Sequence, residues 1–186
     1  MLDNSKITQM NEKIDQHQTP APLIKRLLTI FYDSFLLIAV LFLAMALLLL
    51  ISGGYQFQAG NPLMTAYLLV VTFVFFGGFW THGGQTLGMR AWKLHIQQRN
   101  GDPVNWQQAA LRFITALPAW IVFLIGISLA AGIPLTSRPW LQVLERLPGW
   151  LVLVIGIVWL ILDQRPNSWR DGVSGTQVIK LGKPNG

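Results

Sequence analysis

Residues 22–51 read PLIKRLLTIFYDSFLLIAVLFLAMALLLLI, and the rest of the chain is arranged around them. From Leu27 to Ile51 the stretch is apolar enough and long enough to cross a bilayer, which takes about 20 residues. Lys25 and Arg26 stand at its mouth, and Asp33 lies within it. A charge at the centre of a membrane helix costs roughly 2.5–3.5 kcal/mol on insertion scales, so an intramembrane carboxylate marks a functional or architectural site. Arg26 and Asp33 are two helical turns apart on nearly one face, roughly 10 Å along the axis.

Outward from this helix the chain is membrane-like throughout. Of its 186 residues, 52% are hydrophobic and only 12% charged, about half the charged share of a soluble protein. Cysteine is absent, which excludes disulfides, thiol catalysis and cysteine metal sites. The first 26 residues are polar, so no cleaved signal peptide is expected. A net charge of +6 could suggest nucleic acid, but the positive-inside bias of membrane proteins explains it better. No nucleic-acid partner is expected, and the eight tryptophans read as interface residues.

Residues 1–19 read as a flexible cytoplasmic tail, with His17 a solvated histidine, followed by a membrane domain over 20–182 and a disordered end at 183–186. Pro22 suits the first turn of the first helix. After an uncharged external loop, Ser52 to Pro62, a second span runs from Leu63 to Trp80, where Gly77 and Gly78 permit close helix contact or a bend. In the polar segment that follows, Ala91 to Gln98 reads as a strand and Asn100-Gly101 as a tight hairpin turn. Asn105 and Gln108 form a capping box for a helix from Trp106. Pro118 either kinks that helix or separates an interfacial piece from a third span, Ala119 to Ile133. A second external loop, Pro134 to Pro148, carries Trp140 as an interface aromatic, as is Trp150 beyond it. A fourth span runs from Leu147 to Leu162. The β-favouring Gln177 to Leu181 is expected to pair with the Ala91–Gln98 strand.

Lys6, Lys13, Lys25 and Arg26, then Arg90, Lys93, Arg99 and Arg112, then Arg165, Arg170, Lys180 and Lys183 fall on one side of such a chain. The other side holds only Arg138 and Arg146. The expectation is therefore an all-α polytopic membrane protein with four transmembrane helices. Both termini are cytoplasmic, in the inner (plasma) membrane, with a small cytoplasmic β-hairpin or sheet formed by the middle loop and the C-terminal tail.

These residues resemble the RDD family of membrane proteins, named for one arginine and two aspartates. Arg26 and Asp33 match the arginine and first aspartate. The segment GGQTLGMRAWKLHI with NGDPV is similar to the family's Gly-x-Thr-x-Gly block and following turn, and Arg112 matches a common position. Trp169 to Thr176, WRDGVSGT, looks like the aspartate-bearing segment, so the second aspartate falls on Asp171 more naturally than on Asp163. The resemblance covers about residues 20–182. It implies a membrane protein of mostly undefined molecular function, with transport often suggested and sodium/proton exchange linked to some members.

The site candidates are Asp33, Arg26, Arg112, Asp171 and Thr29. Asp33 is either a titratable, cation-carrying carboxylate or the fixed partner of an arginine. Arg112 is the favoured inter-helix partner, within a polar cluster that includes Asp171. Arg26 otherwise snorkels to phosphates. Thr29, one turn before Asp33, either supplies an oxygen to a small cation or, as is commoner, bonds its own helix backbone. Asp163 and Asp171 are expected to pair with nearby Arg165 and Arg170. Gly83 to Gly88 lacks the lysine and spacing of a phosphate loop and reads as a re-entrant turn or membrane-exit loop. His82 and His95 are too isolated for a metal site. No enzymatic constellation, cofactor or metal site is expected. Two readings remain open. One is a small transporter working as an oligomer, with a monovalent cation or proton as its partner. The other is a scaffold or accessory protein within a larger membrane complex, in which Arg26, Asp33, Arg112 and Asp171 form an electrostatic lock.

Overall fold

The long apolar stretch becomes one helix, α1 (Leu23–Ile51), in a computed structural model that describes residues 19–54, 61–133 and 146–181. Its 29 residues span roughly 43 Å at 1.5 Å per residue, longer than a bilayer core. Helix α2 (Pro62–Gly83) starts at Asn61, whose side chain accepts from the Leu63 and Met64 amides, with proline in the first turn where its missing N–H costs nothing. Helix α4 (Trp106–Ala130) starts on the Asn105/Gln108 capping box expected from the sequence. Of the two outcomes left open at Pro118, a kink or a separation, the separation does not occur: α4 is one element of 25 residues with Pro118 inside it. Membrane helices tolerate such a proline because neighbouring groups satisfy the freed backbone. Three helices, α1, α2 and α4, are thus long and apolar enough to cross a membrane.

The fourth apolar helix, α5 (Gly149–Asp163), is 15 residues long, or roughly 22 Å, short of the usual span. It lies against α4 with unusual closeness. A Cβ built on Gly126 would sit 2.5 Å from the Leu153 backbone, and one on Gly156 would sit 2.6 Å from Phe123 Cα. Small residues of this kind let membrane helices touch backbone to backbone.

The polar segments gather at one end of these helices. A short helix, α3 (Leu87–Ala91), leads into strand β2 (Leu94–Gln98). After α5, a second short helix, α6 (Trp169–Ser174), turns at Gly175 into strand β3 (Thr176–Lys180). Strands β2 and β3 pair antiparallel as expected, Leu94 opposite Lys180 and Gln98 opposite Thr176. Asn100-Gly101 does turn the chain, with the Gly101 amide on the Gln98 carbonyl. It closes no hairpin, because the partner of β2 comes from the tail. The sheet also has a third strand not expected from the sequence, β1 (Thr19–Pro20), opposite Lys180 and Ile179 of β3. Pro20 fits because β1 is an edge strand, where proline need not donate to the ladder. The order is β1-β3-β2.

Beneath the sheet lies a core of Ala21, Met89, Leu94, Ile96, Val104, Ala109 and Val178, packed against Trp80 and Trp92. This core ties β1, α3, the sheet and the start of α4 into one body. Of the flexible tail expected over residues 1–19, Thr19 belongs instead to β1, and residues 1–18, including His17, lie outside the described residues, as do the Trp140 loop and the end at 183–186.

Candidate functional site

The sheet end buries five charged groups in two sets and leaves Asp33 apart from both. The first set centres on Asp171, in the first turn of α6. Its two oxygens accept from Arg112 Nη1 at 2.6 Å and Arg26 Nη1 at 3.1 Å. Arg26 stands in the first turn of α1 and Arg112 in the second turn of α4. One carboxylate from the tail thus joins the bases of two long helices. All three side chains are at most 4% exposed.

Two guanidiniums on one carboxylate leave a surplus positive charge, and the surroundings absorb it. Arg26 also donates to the Val178 carbonyl of β3 at 3.1 Å, and Arg112 to the Thr176 hydroxyl at 2.7 Å. The Arg112 guanidinium sits 5.8 Å from the centre of the Trp80 ring, whose negative face favours a cation. Burial alone would push the Asp171 carboxyl up, but the charges of Arg112 and Arg26, the Arg112 hydrogen bond and the charge of Arg170 together hold it below the ordinary value. Asp171 is therefore a fixed anion.

The second set is Asp163 at the end of α5 and Arg170 in α6, 3.2 Å apart. Arg170 also donates to the Gln164 side chain at 3.0 Å. Burial, with Arg112 nearby, pushes Arg170 down to about 10, so it stays charged at neutral pH. The sequence pairs Asp163 and Asp171 with the nearby Arg165 and Arg170. The structure keeps one of these pairs, Asp163 with Arg170, and buries it, gives Asp171 to the helix arginines and leaves Arg165 exposed. Asp163 and Arg170 thus meet as expected, while Asp171 does not pair with a tail arginine because α6 turns its aspartate and its arginine toward different helices.

Asp33 departs furthest from expectation. It pairs with no arginine among the described residues. It is 3% exposed and accepts from the Thr86 hydroxyl at 2.5 Å and the Gly88 amide at 2.8 Å. Thr86 is the N-cap of α3 and accepts the Met89 amide, so the carboxylate closes over the free donors that open a helix. Gly88 allows this approach: a Cβ there would come within 2.8 Å of both Asp33 Oδ1 and the Thr29 carbonyl. The Gly83–Gly88 segment is therefore neither a phosphate loop nor simply an exit turn. It brings a threonine hydroxyl and a bare backbone amide to the one carboxylate of α1. Sequence reasoning gave Thr86 and Gly88 no role, although a Thr two residues before a Gly at a helix start signalled an N-cap with a close backbone contact. Asp33 thus drops out of the electrostatic lock, and its expected partner Arg112 is taken by Asp171. Thr29, expected to bond its own helix, is 7% exposed and its hydroxyl has no hydrogen-bond partner among the described residues.

The model of the RDD family, an integral membrane family, matches residues 20–175. No curated protein and no solved structure matches the chain.

Proposed function

The chain belongs to the RDD family, and from that premise we propose that it is a small cation transporter, or a subunit of one, with Asp33 as the carboxylate that takes up a proton or a monovalent cation. One observation carries the reading. The three buried arginines are spent on Asp171 and Asp163, while Asp33 is buried on α1 with hydrogen-bond donors but no cationic partner among the described residues. A buried anion without a counter-charge is costly, and a proton or a bound cation relieves it. The Thr29 and Thr86 hydroxyls supply neutral oxygens of the kind a small hard cation takes. Sodium and protons are the pair to test. Four spans are few for a complete path, so an oligomer is part of the proposal.

In this reading α5 crosses as the fourth helix, its shortness met by local bilayer thinning. The sheet and both termini then lie in the cytoplasm of a cell whose inner (plasma) membrane holds the protein. A reporter fused at Gly186 reads as cytoplasmic, and an external reading removes this topology.

The decisive experiment is flux in proteoliposomes under imposed Na⁺, K⁺ or Li⁺ gradients. Wild-type protein shows ion-driven pH change, and Asp33→Asn abolishes it while the protein still folds and reconstitutes. Undiminished exchange in Asp33→Asn takes Asp33 out of the mechanism.

The Arg26–Asp171–Arg112 geometry favours a second reading, a membrane scaffold whose polar cluster locks the tail to the helices and whose sheet offers a docking surface. It gains if no flux is found and if Asp33→Asn and Arg112→Gln both abolish folding.

A further inference from the structure

One groove lies outside everything described so far. It runs along a single stripe of α2 and ends at α3, with a volume of about 410 Å³. Val74, Phe75 and Phe79 form its apolar wall, and His82 and Arg90 stand at its lower end. From Val74 to His82 the stripe rises roughly 12 Å along the helix. Gly78 keeps the wall open: a Cβ there would meet nothing within 4 Å.

The charge at the lower end is unbalanced. Arg90 is exposed, and no acidic group pairs with it among the described residues. Elsewhere at the same end of the molecule, Lys25, Lys93, Arg99, Arg165 and Lys180 are exposed or half-buried. Asp102 is the one exposed acid among the described residues, since Asp33, Asp163 and Asp171 are all buried. An apolar stripe on a helix long and apolar enough to cross a membrane, ending in a free guanidinium at the basic end of the molecule, is complementary to a molecule with an acyl chain and an anionic head.

The geometry points to a specific site for one anionic phospholipid, its chain along Val74, Phe75 and Phe79 and its phosphate on Arg90. Guanidinium is well matched to phosphate, and basic residues at this depth meet headgroups. The groove's lining includes none of Asp33, Thr29, Thr86 and Gly88, so the site stands or falls independently of transport.

Native mass spectrometry of the detergent-purified full chain tests it, with phosphatidylglycerol and phosphatidylcholine of matched acyl chains as probes. Phosphatidylglycerol binds about fivefold more tightly, the worth of one basic residue at an anionic surface. Arg90→Gln brings that ratio to about one, whereas Arg99→Gln leaves it intact. Gly78→Leu fills the groove and removes the tightest lipid adduct, and excess inorganic phosphate fails to displace it. The proposal is overturned if wild type shows no preference, or if Arg99→Gln erases it as fully as Arg90→Gln, which would mean a diffuse basic rim. It is equally overturned if Gly78→Leu has no effect or free phosphate competes the lipid away.

Discussion

The Arg112 guanidinium and the Asp171 carboxylate meet at 2.6 Å, with 3% and 2% of their side chains exposed. They lie on the second turn of one membrane-length helix and in a short helix of the tail. The contact fixes where the tail returns, and with Arg26 it pins three segments at one point. Burial makes such a contact an all-or-nothing element. The intact set is satisfied, while a set missing one member leaves a charge stranded in a poorly polar environment.

Asp171→Asn leaves two buried guanidiniums without an anion. Breaking a buried pair by removing one partner costs about 3–5 kcal/mol, so the thermal midpoint of the purified protein in detergent should fall sharply. Asp102→Asn, at an exposed position, should stay within about 0.5 kcal/mol of wild type. Equal midpoints for the two variants would mean that Asp171 does not hold the tail.

Gly88→Ala tests the contact between α1 and α3. The added methyl would come 2.8 Å from Asp33 Oδ1 and from the Thr29 carbonyl, one a buried side chain and the other backbone. Overpacking of this kind costs about 1–3 kcal/mol. The variant should be destabilised and, if Asp33 carries ions, should also show altered apparent cation affinity. Gly101→Ala is not a fair comparison because Gly101 sits at φ +92°. Gly172→Ala is fair, since only the far end of Arg99 lies within 4 Å. Matching stabilities for Gly88→Ala and Gly172→Ala would refute the close approach.

What the sequence showed and hid follows from the range of each interaction. The Asn105/Gln108 box was legible because both partners lie within one turn. The β2–β3 pairing was legible because each strand carries its own β-favouring run. The Arg26, Arg112 and Asp171 grouping came from reading charges as too costly to leave unpaired in a membrane. That same reasoning misplaced Asp33, because it looked for a charged partner when a hydroxyl and a backbone amide were enough. Strand β1 was hidden by its two-residue length and its proline. The glycine contacts between α4 and α5 were hidden because a helix apolar on every side gives no period from which to read its buried face.

Gly126→Leu tests that last contact. The Leu153 backbone lies 2.5 Å from the position a Cβ would take, and backbone cannot yield as a flexible side chain can. The variant should push α5 off α4 and loosen the Asp163–Arg170 end of the helix. Protease sensitivity at residues 164–168 in detergent should rise severalfold over wild type. Gly78→Leu, with open space at its Cβ, should not raise it. An unchanged digestion pattern in Gly126→Leu would mean that the helices do not meet at this glycine.

The acid side of the stability curve should report on His95. Its ring lies under Gly84, where an added Cβ would fall 2.3 Å from Cε1, and Gly84 has the left-handed backbone that glycine adopts freely, at φ +61°. Burial lowers the His95 pKa from its ordinary 6.5. On acidification the unfolded chain therefore takes up this proton first. Between the folded and ordinary values the unfolded state holds more protons, so stability rises with pH there. The His95 contribution is complete above about 6.5 and is lost as pH falls below it, levelling off once the folded ring also protonates. The thermal midpoint should drop between pH 7.5 and 5.5, and His95→Gln should show a smaller drop over the same interval. The difference between the two proteins isolates His95 from His82 and the carboxylates. Parallel curves for wild type and His95→Gln would mean that the ring is as free to take up a proton in the fold as out of it.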